Sequence, residues 1–408
     1  MAEKKGSVLG GMLLIAGSCI GAGMLGMPIL TGLAGFFPAL LMFFCAWIFM
    51  ISTALLLVEV NSCYSHQVNL LTMVGKSLGK VGRTICWVTY LFLFYALLVA
   101  YISGSGSLFS SIFQNTFSLR LPVWVASFFF VLLFGWVIYL GTRRVDHCNR
   151  LLMFAKIGFF VLLVVIGVKY MHSHLLRRTE PSYAVSSLPL LVIAFGFHNM
   201  IPSLFSYMEG DLKRVRKTII GGSLMAFVIY LIWQILVLGI VPIDGPYGLM
   251  DSYRNDREAS QALAAIVRSP WIKTFSQGLA FFAILTSFLA QGLSLVHFLS
   301  DGLKISYKKK ESVALCSLAL IPPLILSLIY PQLFFKALNF AGGICAVILF
   351  GLLPVTMVWI GRYRKFTPST YEMPGGKVAL SLIFLFALFI FIMQLSSMLG
   401  ASFLRPLA

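Results

Sequence analysis

Three ionisable residues of this 408-residue chain stand where ionisable residues are rare. Lys156 lies in "NRLLMFAKI" (149–157), Glu59 near the end of "FMISTALLLVEV" (49–60), and His198 in "IAFGFHNMIPS" (193–203), all within apolar runs. A charge held in hydrocarbon is costly, so such groups mark ion paths, proton relays or counter-ions. A lysine or histidine there is suited to binding and releasing a proton. Each residue also has a plainer reading. Lys156 reaches the near interface along its aliphatic stem, Glu59 is an acid at a helix end, and His198 is a hydrogen-bonded structural histidine.

A second chemistry belongs to the backbone. "GSCIGAGMLGMP" (17–28) carries Gly17, Gly21, Gly23 and Gly26 and ends in Pro28, in the middle of the first apolar run. Glycine weakens a helix and proline removes a donor. The sixth run repeats the device, with Gly196 at its centre and Pro202 six residues on. A helix that opens in hydrocarbon needs a cavity or ligand to repair it. Freed N–H groups at Gly21, Ala22 and Gly23 suit a carboxylate. Carbonyls near Ala16, Gly17 and Ala194 suit an ammonium. Together they fit a zwitterion, a free amino acid. Phe195, Phe197, His198 and the third-run tyrosines Tyr95 and Tyr101 are candidates for the wall around an aromatic side chain. The alternative is that the glycines form a small-residue packing face.

These groups must be positioned by membrane helices. The chain is 59% hydrophobic and 11% charged, with mean hydropathy +0.94. A soluble surface needs far more charge. Eleven apolar runs are long enough to span: 8–30, 34–60, 85–113, 122–140, 151–170, 185–207, 218–241, 272–299, 313–330, 335–358 and 378–398. The first is too long for a cleaved signal peptide. Weak helices in first and sixth place cross in opposite directions, as in an inverted five-plus-five repeat with discontinuous helices. The repeats are then 1–170 and 185–358, with a peripheral eleventh span at 378–398. Placing the N-terminus in the cytoplasm puts 20 of the 31 basic residues inside, so the N-terminus is expected in and the C-terminus out. The formal charge of +18 is thus mostly topology, with anionic lipid an added partner and nucleic acid none. The seven cysteines are scattered without a C-x-x-C pair, which reads as packing rather than disulfides or metal ligands.

"GSCIGAGMLGMP", "YISGSG" (101–106), "NRLLMFAKI", "FGFHNMIPS" (195–203) and "IPPLILSLIYP" (321–331), in this order along nearly the whole chain, resemble the bacterial hydroxy/aromatic amino acid permeases. The resemblance implies the leucine-transporter-like fold of the amino acid–polyamine–organocation superfamily. It implies proton-coupled uptake of an aromatic amino acid, tyrosine favoured, with tryptophan, another neutral amino acid or sodium drive as alternatives. It also implies that Lys156 stands where sodium-coupled relatives hold their ion, faced by Thr286 and Ser287. Glu59 corresponds to an acid that braces the unwound sixth helix. Ala194 and Asn199 depart from the serine and glycine common in the family at pocket-facing positions, as Cys19 departs from threonine.

Other classes fit less well. "SGSGS" (103–107) with His198 lacks an acid and an oxyanion site, and no H-E-x-x-H occurs. No repeated filter or charged ring suggests a channel. The expectation is an all-α membrane permease, not an enzyme, with no cofactor, no metal and no obligatory protein partner. Its partners are an aromatic amino acid and protons, in the bacterial inner membrane.

Overall fold

The computed structural model describes residues 6–64, 68–118, 121–305, 309–365 and 369–400. Lys4, Lys5, Arg120, Lys308 and Arg405, five of the 31 basic residues, lie outside them. The described residues are helical, with no strand among them.

The first run breaks into α1 (Val8–Cys19) and α2 (Ala22–Gly32), bent by 60°. Long helices follow as α3 (Phe36–Ser62), α4 (Leu70–Phe117), α5 (Val123–Tyr139) and α6 (Thr142–Gly167). The sixth run breaks into α7 (Leu188–Ala194) and α8 (Ile201–Tyr207). Then come α9 (Leu212–Ile240), the short α10 (Leu249–Arg254) and α11 (Ala259–Ile266), α12 (Pro270–Leu303) and α13 (Lys309–Ile329). The tenth run is α14 (Phe334–Phe340), a π-helical stretch Ala341–Leu352 and α15 (Leu353–Tyr363), and α16 (Gly376–Met398) is last. Nine described helices are long and apolar enough to cross a membrane, ten with the bent first pair. The fourth expected span, α5, is 17 residues long.

Helices cover the cores of the expected runs, and several begin or end beyond them. The clearest miss is the fifth span, expected from 151. Its helix begins at Thr142, because "TRRVDHCNR" is polar but helical. Lys156 therefore stands about 21 Å along the helix axis from Thr142 at 1.5 Å per residue.

Gly6 N–H donates to Tyr207 O (3.1 Å), so α1 starts where α8 ends. The two broken helices therefore run antiparallel. Most of α6 and α16 faces outward, with Phe154, Val165, Leu382 and Leu385 exposed, as lipid contact requires.

Prolines inside helices free a carbonyl four residues back, and side chains from distant helices fill the gap. Pro28 cannot bond Met24 O, which instead accepts Trp233 Nε1–H (2.9 Å). Pro322 likewise frees Leu318 O, which accepts the Tyr95 hydroxyl (2.8 Å). α7 and the π-helical stretch approach so closely that a Cβ at Gly342 would run into Pro189 O.

The hydrophilic stretch 242–270 folds onto the face opposite the N-terminus. Asp256 takes a left-handed φ of 54°. Its carboxylate accepts the N–H groups of Phe334 (2.6 Å) and Phe335 (2.9 Å), capping α14. Glu258 caps α11, accepting Ser260 N–H (2.7 Å) and Oγ–H (2.5 Å). Burial pushes the Glu258 carboxyl up from 4.5 to about 7. Folded protein thus holds its proton more tightly than unfolded protein does, and stability falls as pH rises from 4.5 to about 7. The loss is at most about 3 kcal/mol. Glu258→Gln keeps an acceptor for Ser260 and flattens this dependence, which thermal unfolding across that pH range reads directly.

Candidate functional site

The first break exposes backbone at Ile20 and Gly21, whose dihedrals are (−72°, 80°) and (−133°, −159°). The second interrupts 195–197 before a 3₁₀ turn, His198–Met200. They lie side by side. A Cβ added to Gly23 would sit 3.6 Å from Ala194 Cα, at van der Waals contact, so the two breaks lie against each other. The Tyr230 hydroxyl from α9 joins both breaks, at 2.5 Å from Cys19 O and 2.7 Å from Ala194 O. Its single proton is shared between two carbonyls that the breaks release. Tyr230→Phe leaves Ala194 O without this donor and Cys19 O with Gly21 N–H alone, and costs about 1–3 kcal/mol, measurable as a lowered unfolding temperature.

Lys156 enters this gap from α6. Its side chain is 2% exposed, which rules out the snorkelling alternative. Nζ donates to Ile20 O and lies 3.4 Å from Thr286 Oγ1 on α12. Ser287, the next residue, accepts Ala22 N–H at 3.1 Å. The expected trio of Lys156, Thr286 and Ser287 thus meets at the first break.

A cavity of about 190 Å³ opens beside them. The first break contributes residues 17–23, and the second Ile193, Ala194, Gly196 and Asn199. α4 gives Leu93, Leu97 and Tyr101; α6 gives Asn149, Met153 and Lys156; α12 gives Thr286, Ser287, Ala290 and Gln291. Leu338 and Phe350 complete the wall. A second cavity of about 970 Å³ lies toward the N-terminal face, lined among others by Tyr90, His198, Pro202 and Asp301. Asn199 lines both.

Several expected site residues lie elsewhere or turn their polar groups away from the cavity, for identifiable reasons. Ala16 O accepts Ile20 N–H (2.9 Å) and closes the last turn of α1. Ala194 lines the cavity, but its carbonyl faces Tyr230. Gly21 N–H turns back to Cys19 O (2.7 Å). The turn at 195–197 sends both phenylalanines inward to the scaffold. Phe195 packs against Phe43, Phe227 and Tyr230, and Phe197 is 1% exposed against His198. His198 belongs to the second cavity, stacked on Phe350 at 4.8 Å, with Nε2 2.9 Å from Thr53 Oγ1. Tyr95 serves Leu318 on the far side of α4. Glu59 does not brace the sixth helix. Arg362 Nε and Nη2 reach its two oxygens at 2.6 and 2.5 Å, and Met373 N–H donates to it at 2.8 Å. A buried carboxylate takes the cation of the tenth run.

Tyr230, Asn149 and Gln291 escaped the sequence reading. Asn149 precedes Lys156 by two turns and Gln291 follows Ser287 by one, so helical spacing from those residues was the available signal. Asn149 Oδ1 is buried with no hydrogen-bond partner among the described residues.

The sequence pattern of the tryptophan/tyrosine permease family matches residues 4–394. The tyrosine-specific transport system 1 of Haemophilus influenzae is 32% identical, over 92% of this chain and 93% of that protein. The tryptophan-specific transport protein of the same organism is 29% identical over 98% of both chains. The low affinity tryptophan permease of Escherichia coli is 26% identical over 95% of both. Among solved structures, that of MhsT in complex with L-phenylalanine superposes with a TM-score of 0.62 at 15% identity, covering 97% of this chain and 99% of that one. The overall fold is therefore that of MhsT.

Proposed function

The chain belongs to the tryptophan/tyrosine permease family, whose members are transporters and not enzymes, and we propose that it imports an aromatic amino acid, tyrosine favoured, by proton-coupled symport across the bacterial cytoplasmic membrane. The observation that carries this reading is Lys156, buried at the junction of the first break, Thr286 and the cavity. A carbonyl and a hydroxyl are ligands that suit a metal cation. An ammonium fixed between them supplies the positive charge itself, and its proton becomes the coupled ion.

The carboxylate of the substrate lies at the start of α2, near Gly21, Ala22 and Gly23, with the helix dipole and the Tyr101 hydroxyl. Its amino group faces the first-break carbonyl region at Gly17. Its ring lies against Leu93, Leu97, Ile193, Leu338 and Phe350. With the proton on Lys156, Ile20 O is held and the first break is fixed. Loss of the proton toward the N-terminal face releases α1 and lets the larger cavity join the smaller one. Alternating access then runs between repeats 1–170 and 185–358, in a chain of eleven crossings with α5 as the fourth. The N-terminus is cytoplasmic and the C-terminus periplasmic. α16, within 378–398, stays peripheral.

Tryptophan is the second reading, favoured by the tryptophan-specific relatives that match over the same length. Competition against labelled tyrosine uptake into proteoliposomes tests the substrate class. Unlabelled tyrosine, tryptophan and phenylalanine compete, and serine and leucine do not. Equal competition by serine or leucine would contradict it.

A further inference from the structure

The wall between the two cavities holds one hydrogen bond that the transport cycle above does not use. The Tyr90 hydroxyl donates to Asn199 Oδ1 at 2.9 Å. The Tyr90 ring is held by Phe94, Phe298 and Phe350, with centroids 5.9, 5.9 and 6.5 Å away. Asn199 borders both cavities.

Tyr90, Leu93, Leu97 and Tyr101 recur at helical spacing along one face of α4. Tyr101 stands beside the first break, and Tyr90 lies about 16 Å below it along the axis. Between these two polar ends the stripe is leucine. Resting on the proposed function, we propose that Asn199, oriented by Tyr90, reads the polar tip of the aromatic side chain and selects a phenol over an indole or an unsubstituted ring.

The chemistry is one of unequal donors. With Oδ1 occupied by the Tyr90 hydroxyl, Asn199 offers its two Nδ2 protons. A phenol oxygen accepts one of them. An indole N–H is a donor only, and a benzyl ring has neither function, so each leaves the Nδ2 protons covered and unpaired. A site that hydrogen-bonds a substrate hydroxyl rejects analogues lacking it far more strongly than an apolar pocket rejects a methylene.

The test is competition against labelled phenylalanine uptake in proteoliposomes, read as ratios of inhibition constants. For the unaltered protein, tyrosine binds at least about tenfold more tightly than phenylalanine, tryptophan or 4-methylphenylalanine, the last having tyrosine's shape without its oxygen. In Asn199→Leu the tyrosine-to-phenylalanine preference falls about tenfold or more. In Tyr90→Phe the amide loses the bond that orients it, both acceptor positions of Oδ1 open to an indole N–H, and tryptophan gains on tyrosine. Equal binding of tyrosine and 4-methylphenylalanine to the unaltered protein overturns the assignment without any variant. So does a uniform weakening of all competitors in both variants. Absence of uptake of any aromatic amino acid by the unaltered protein would instead overturn the proposed function.

Discussion

Replacing Lys156 with alanine abolishes concentrative uptake and leaves exchange of substrate between the two sides of the membrane. The ammonium is 2% exposed and donates to Ile20 O. Alanine removes the titrating group without filling the substrate cavity. Uptake coupled to one proton can reach about 100-fold accumulation under a two-unit pH difference. The alanine variant settles near equal concentrations, while counterflow of labelled against unlabelled substrate persists. Lys156→Arg keeps the charge but holds its proton at every relevant pH, so it too fails to accumulate substrate. Concentrative uptake by either variant would remove Lys156 from the coupling step.

Arg362→Ala produces the largest loss of stability. The Glu59 side chain is 4% exposed and that of Arg362 10%, so removing the guanidinium leaves a buried carboxylate without this cation and with the Met373 N–H still donating to it. Breaking such a pair from one side costs about 3–5 kcal/mol, whereas replacing both partners with uncharged groups is close to neutral. The single variant should unfold at much lower temperature in detergent and reach the membrane in smaller amount. Glu59→Gln combined with Arg362→Met should recover most of the loss. A double variant no better than the single one would mean that the pair does more than satisfy its own charges.

What the sequence made legible follows from the range of the interactions involved. Both breaks could be read because glycine and proline act on their own backbone, and the observed interruptions fall at Ile20–Gly21 and 195–197. Lys156 could be read from its place in an apolar run, its pairing with Thr286 and Ser287 came from resemblance, and the geometry brings the three together. The repairs to the breaks were not legible. Tyr230, Trp233 and Tyr95 serve carbonyls far away in sequence, and nothing local distinguishes them from other aromatic residues of the spans. Phe195 and Phe197 were drawn to the pocket by position alone, and the three-residue turn points them away from it. Glu59 found its partner 303 residues on. The start of the fifth helix at Thr142 was missed because hydropathy marks where a helix turns apolar, not where it starts.

The most direct test of the central claim is uptake of labelled tyrosine into sodium-free proteoliposomes under an inward proton gradient, beside a matched set given sodium and no proton gradient. The account predicts accumulation above the external concentration in the first set, collapse on adding a protonophore, and no accumulation in the second. Accumulation in the sodium set alone would contradict it.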